Sequence, residues 1–117
     1  MHTLPKTARL TTPRQYAAAF QASAVASGEV FRVWFRPNLQ RGARLGMVVG
    51  KRAAPRAVDR NFVKRLIREE FRKEQGRLSG LDVVVKLQGK PVKARAREMR
   101  EELLALFSKS RLWPASR

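Results

Sequence analysis

The sequence predicts an α+β sandwich, αββαβα in element order, with its helices packed on one mixed sheet. Three observations carry that expectation. Two segments, 51–77 and 93–107, repeat apolar residues at the i, i+3/i+4 spacing of amphipathic helices. Val30–Arg36 alternates, as a half-buried strand does, and Leu81–Leu87 is almost continuously apolar, as an interior strand is. A chain of 117 residues suffices for one core and not for two, so residues 1–117 are read as one domain.

In chain order, residues 1–10 are polar, carry Pro5 and are expected to form an irregular arm. Thr12 then caps a helix, with Pro13 at its first position and Gln15 completing a capping box. The helix should run to about Ala22, with Tyr16 and Phe20 on one face at i, i+4. Taken alone, either ring is better read as core. Residues 22–29, ASAVASGE, read as a flexible loop. In the strand that follows, Phe31, Val33 and Phe35 face a core, and Arg32, Trp34 and Arg36 face the other way. Pro37–Gly42 reads as a turn and Arg44–Gly50 as a second strand. In the central helix, Pro55 suits the first turn, Asp59 lies near the positive end of the macrodipole, and Gly76 offers a left-handed stop. After the third strand, Gln88–Pro91 is a loop. The last helix, Lys93–Phe107, should bury Ala96, Met99, Leu103, Leu106 and Phe107. The tail 108–117 is basic, and its Trp113 either folds back or is exposed.

Charge decides the function class. The formal net charge is +17, from 26 Lys and Arg against 9 Asp and Glu, on a chain apolar enough to fold. Arg predominates, which favours bidentate phosphate contacts. The charge concentrates in KRAAPRAVDRNFVKRLIREEFRKEQGR, residues 51–77. There Phe62, Val63, Leu66, Ile67 and Phe71 make the apolar stripe, while Arg60, Asn61, Lys64, Arg65, Arg68 and Arg72 lie opposite. Lys51, Arg52 and Arg56 extend this patch. Only Asp59, Glu69, Glu70 and Glu74 oppose these cations, and Glu70 and Glu74 lean towards the apolar side. An uncancelled face of this kind suits a polyanion, above all a phosphate backbone. On the first strand, Trp34 between Arg32 and Arg36 suits single-stranded nucleic acid, where bases stack and phosphates pair.

Other classes find little support. With no cysteine there is no disulfide framework, zinc ribbon or thiol nucleophile. His2 is the only histidine, so neither a metal cluster nor a histidine-activated serine is expected. The carboxylates do not converge as a metal-dependent nuclease requires, and Gly46 and Gly50 do not build a phosphate-binding loop. No apolar run reaches the ~20 residues that span a bilayer, and an anionic membrane surface is the weaker alternative partner, because the apolar stripes are used inside the fold; no membrane partner is expected. The N-terminal stretch MHTLPKTARL lacks a signal peptide's apolar core. No catalytic residue and no metal ligand are therefore expected in the protein itself.

The stretch LGMVVGKRAAPRAVDRNFVKRLIREEFR resembles the RNR motif of the bacterial ribonuclease P protein subunit. Lys51-Arg52, Ala57-Val58, Arg60-Asn61, Lys64-Arg65, Arg68-Glu69 and Phe71-Arg72 fall where that family has them. The flanking helix, strands and last helix agree, so the resemblance covers about residues 9–107. Many members have a third basic residue where Phe62 stands. By periodicity Phe62 borders the apolar side, so an edge contact is lost and the main face kept. Val85-Lys86-Leu87 also replaces a commoner sequence after the third strand.

The resemblance implies the fold of ribosomal protein S5 domain 2, with a left-handed βαβ crossover where general rules favour a right-handed one. It implies a cytoplasmic ribonucleoprotein that removes the 5′ leader from precursor tRNA. The catalytic groups and Mg²⁺ would belong mainly to the RNA subunit and substrate, and no obligate protein partner is implied. Lys51, Arg52, Arg56, Arg60, Asn61, Lys64, Arg65, Arg68 and Arg72 would bind the catalytic RNA. Tyr16, Phe20, Arg32, Trp34 and Arg36 would line a cleft for the single-stranded leader. Two other classes share the charge: a structural RNA-binding protein, which need not have such a cleft, and a DNA-binding regulator, which needs a short turn before its basic helix.

Overall fold

The computed structural model describes residues 8–21, 24–38 and 42–112. Most of the N-terminal arm, the middle of the 37–42 turn, and Trp113 with the end of the tail lie outside them. The capping box forms as expected. Thr12 accepts the Gln15 amide N–H, and the Gln15 side chain accepts the Thr12 N–H, opening helix α1, Pro13–Phe20.

The expected loop at 22–29 is largely a strand, β1, Ala24–Ser27. It pairs antiparallel with β2, Phe31–Pro37, from Ala24 opposite Phe35 to Ser27 opposite Arg32. The connection is fixed from outside the hairpin. The Glu102 carboxylate accepts the Val30 and Phe31 N–H groups at 2.9 and 2.8 Å, and the Gln88 amide donates to the Gly28 carbonyl. Strand β3, Arg44–Val48, is followed by helix α2, Ala57–Glu74, and then by β4, Leu81–Leu87. A 3₁₀ turn, Lys93–Arg95, leads into helix α3, Ala96–Ser108.

The sheet order is β1-β2-β4-β3. Strand β4 is interior, as its apolar run predicts, antiparallel to β2 and parallel to β3. The parallel pair is joined through α2, so the basic helix is the crossover of a βαβ unit. The fold is α+β with a mixed sheet, and β1 adds one strand to the expected order.

Alternation sorts the sheet into two faces. Phe31, Val33, Phe35, Leu45, Val83, Val85 and Leu87 pack against Val63, Leu66, Ile67 and Phe71 of α2 and Met99, Leu103, Leu106 and Phe107 of α3. On the opposite face Val84 is buried with Leu10 and Ala19, and Tyr16, Trp34 and Val48 pack beside them under α1. Gly46 permits this approach, because a Cβ there would lie 2.8 Å from the Tyr16 ring.

Two details of α2 differ from expectation. Pro55 precedes the N-cap, Arg56, and so stands outside the first turn. Gly76 does not end the helix in a left-handed conformation. Gln75 is right-handed at the C-cap, and the described glycine with positive φ is Gly80, at 85°, where the chain turns into β4. The turn between them is held by backbone bonds, including Leu78 N–H to the Glu74 carbonyl, which a helical Gly76 allows.

Candidate nucleic-acid interface

Helix α2 carries its cations unevenly. Arg56 donates twice to Asp59, at 3.0 and 3.3 Å, and holds that carboxyl below its usual range. Arg60 bends back, donating to the Ala54 and Pro55 carbonyls at 2.9 and 2.8 Å, and so fastens the entry to its own helix. At the C-terminal end the helix is tied to α3. Arg100 bridges Glu69 at 2.7 Å and buried Glu70 at 2.9 Å, and Lys73 pairs with Glu70. The acids that could have neutralised the outer face are thus engaged at the helix start, by α3, or, for Glu74, by Arg77 just past the helix end. Among the described residues, Lys64, Arg65 and Arg68 have no ion-pair partner, and Asn61 and Arg65 are exposed. Asn61, Arg65, Arg68 and Arg72 follow one another at i, i+4, i+7 and i+11, along one stripe. Lys51 and Arg52 stand exposed in the turn before the helix.

The other predicted residues meet on the far side of the sheet. The Phe20 ring stands edge-on to Trp34, centroids 4.8 Å apart at 77°, and the Arg32 guanidinium lies 5.3 Å over the Trp34 ring. Tyr16 is half-buried, its hydroxyl accepting the Met47 N–H at 3.1 Å. Phe20 remains 41% exposed, so it is not core. All five predicted cleft residues therefore share one face, but they do not form one open surface. Tyr16 is committed to the sheet, while Phe20, Trp34 and Arg32 make a stack open at its edge. Arg36 lies one row away, opposite buried Asp82, which receives a two-pronged bond from Arg44 at 2.7 and 2.8 Å. Asp82 holds the Arg44 pKa above its usual value, against the opposing effect of burial.

Sequence reasoning missed Lys86. The alternation of LDVVVKL places it with Val84 on the outer face. The strand register, which has no sequence signature, sets it beside Arg32 on one side and Val48 on the other. From there an open pocket of about 630 Å³ leads to the start of α2, lined among others by Lys86, Lys90, Arg52, Val48 and Pro55, with no acid in its wall. A cationic corner therefore runs from Lys86, beside Arg32, to Arg52 at the start of the basic helix.

The carboxylates do not form a metal centre. Among the described residues no group of three or more His, Cys, Asp or Glu could hold an ion. Asp59, Asp82, Glu69 and Glu70 are paired with arginines, and Glu102 with backbone amides. Nor is any described helix long and apolar enough to cross a membrane.

Fold and site define a class: a small, strongly basic α+β protein whose crossover helix carries an uncancelled cationic face. The family model described as Ribonuclease P matches residues 4–111. The chain is 43% identical over 114 residues to the ribonuclease P protein component of Ralstonia pickettii, covering 92% of this chain and 81% of that protein. It is similar to the solved RNase P protein of Thermotoga maritima, with 33% identity, a TM-score of 0.71, and coverage of 86% and 96% of the two chains. A mutant RNase P protein of Staphylococcus aureus shares the fold, with a TM-score of 0.79 over 91% of this chain and 90% of its own, at 22% identity. The chain belongs to the bacterial ribonuclease P protein family.

Proposed function

We propose that this protein binds the catalytic RNA of ribonuclease P through α2 and holds the single-stranded 5′ leader of precursor tRNA on the outer face of the sheet. The observation that carries the reading is the distribution of acids over α2. Its carboxylates are engaged at its two ends, Asp59 by Arg56, Glu69 and Glu70 by Arg100 of α3, and Glu74 by Arg77, and Lys64, Arg65 and Arg68 are left uncancelled. Arginine forks there match phosphate oxygens, and Asn61 adds a neutral donor and acceptor. Lys51, Arg52, Arg56, Arg60 and Arg72 contribute field, and in Arg60's case the geometry of the helix entry.

On the outer face, a leader base can stack on the exposed edge of the Phe20–Trp34 pair while Arg32, Lys86 and Arg36 meet its phosphates. Tyr16 positions α1 above them. The chemistry of cleavage belongs to the RNA. Mg²⁺ would be held mainly by RNA and substrate phosphates, since Asp59, Asp82, Glu69, Glu70 and Glu74 are engaged by this chain's own cations. Such a role places the protein in the cytoplasm and requires no second protein.

The experiment is to purify the protein under mild salt from its native cell and sequence the RNA that accompanies it. Ribonuclease P RNA and precursor tRNA are expected. Ribosomal RNA alone, or DNA, would overturn the reading.

A further inference from the structure

The groove between α2 and α3 is treated differently at its two ends. At the C-terminal end of α2 it is closed by opposite charges, Arg100 lying between Glu69 and Glu70. At the N-terminal end the carboxylate of Asp59 is hydrogen-bonded by Arg56 and also feels the charge of Lys93. There Lys93, first residue of the 3₁₀ turn before α3, places its ammonium 5.7 Å over the Phe62 ring. Phe62 is half-buried against the core, and Lys93 is exposed. An aromatic ring holds an ammonium by its quadrupole and carries no charge of its own. Lys93 is thus oriented by the ring and shares the field of Asp59 with Arg56, with no ion pair of its own among the described residues, whereas Arg100 is paired with two carboxylates. Phe62 precedes Arg65 by one helical turn, so the ring seats a cation at the height where the α2 stripe carries the neutral Asn61.

We propose that Lys93 is a further RNA-binding residue, supplying from the neighbouring segment the cation that α2 lacks at Phe62 and binding a phosphate of the RNA that lies along α2. The proposal rests on the RNA-face reading above. The α2 interface then crosses the groove at its N-terminal end only, and Phe62 acts as the seat for Lys93.

The test is titration of the catalytic RNA with full-length variants over a range of salt. Lys93→Met should weaken binding on the order of tenfold and flatten the slope of log K against log salt by roughly one unit. Lys109→Met, an equal loss of charge on the turn after α3, controls for general attraction and should leave the slope nearly unchanged. Adding Phe62→Lys to Lys93→Met should restore the slope, which a merely structural role for Lys93 would not allow. The proposal is overturned if Lys93→Met matches Lys109→Met while Arg65→Ala flattens the slope. If Lys93→Met and Arg65→Ala are both silent, the RNA face itself falls, and this proposal with it.

Discussion

Replacing Trp34 by alanine should separate precursor from mature tRNA. The ring meets Phe20 edge-on at 4.8 Å and Arg32 at 5.3 Å, and packs beside the small cluster of Leu10, Ala19 and Val84. The aromatic pair is worth about 0.5–1.5 kcal/mol, and an exposed cation–π contact about 0.5–1 kcal/mol. These two contacts set a floor of about 1–2.5 kcal/mol on the folding cost, and because Trp34 is only half-buried the total should stay below the about 3–5 kcal/mol of a fully buried aromatic. For a domain of this size that floor lowers Tm by roughly 3–12 °C, and the protein stays folded at room temperature. Stacking on a leader base is worth about 1–3 kcal/mol. Only the precursor has a leader, so its affinity for the holoenzyme should fall about 5- to 150-fold while that of mature tRNA is nearly constant. Trp34→Phe should recover part of the difference. The assay is a thermal melt alongside titrations with both tRNAs. Equal losses for the two tRNAs, with a Tm drop typical of a core residue, would remove Trp34 from the leader site and weaken the case for Arg32.

On the opposite side, Arg65→Ala and Arg68→Ala should each cost about 1.5–3 kcal/mol of RNA-subunit binding, with Tm unchanged and a flatter salt slope in filter binding. Gly46→Ala would set a Cβ 2.8 Å from the Tyr16 ring and 3.0 Å from Leu10. It should cost about 1–3 kcal/mol of stability and remove the exchange protection of the Met47 amide, as hydrogen exchange can read. Asp82→Ala strands Arg44 without its partner. Chemical denaturation should show a loss of about 3 kcal/mol, the low end for a broken buried pair, because Arg44 is partly solvated.

The parts of this fold written in local patterns were legible. The Thr12–Gln15 capping box, the stripe of α2 and the continuous run of β4 each follow from spacing a few residues long. Strand β1 was not legible, because Ala24, Ala26 and Ser27 have little strand preference. Its pairing is set by β2, and its turn by Glu102 and Gln88, far along the chain. Gly76 and Gly80 are equally able to adopt positive φ, and only the path into β4 selects the second.

Within the site, periodicity put Arg65 and Arg68 on the free face correctly. It could not foresee that Arg60 would turn back to its own helix entry, since that depends on where the Ala54 and Pro55 carbonyls point. Lys86 stayed hidden because its neighbours come from two other strands, and Lys93 because its contact with Phe62 spans a helix, a strand and a loop.

On the proposed function, this protein serves a catalytic RNA and does not cleave on its own. Initial rates of 5′ leader removal should be measured for the protein alone, the cognate ribonuclease P RNA alone, and both together, with Mg²⁺ throughout. Protein freed of contaminating nuclease should give no cleavage, and kcat/KM for precursor tRNA should rise when protein joins RNA. Cleavage at the same site by protein alone, or an RNA rate unmoved by the protein, would contradict that proposal.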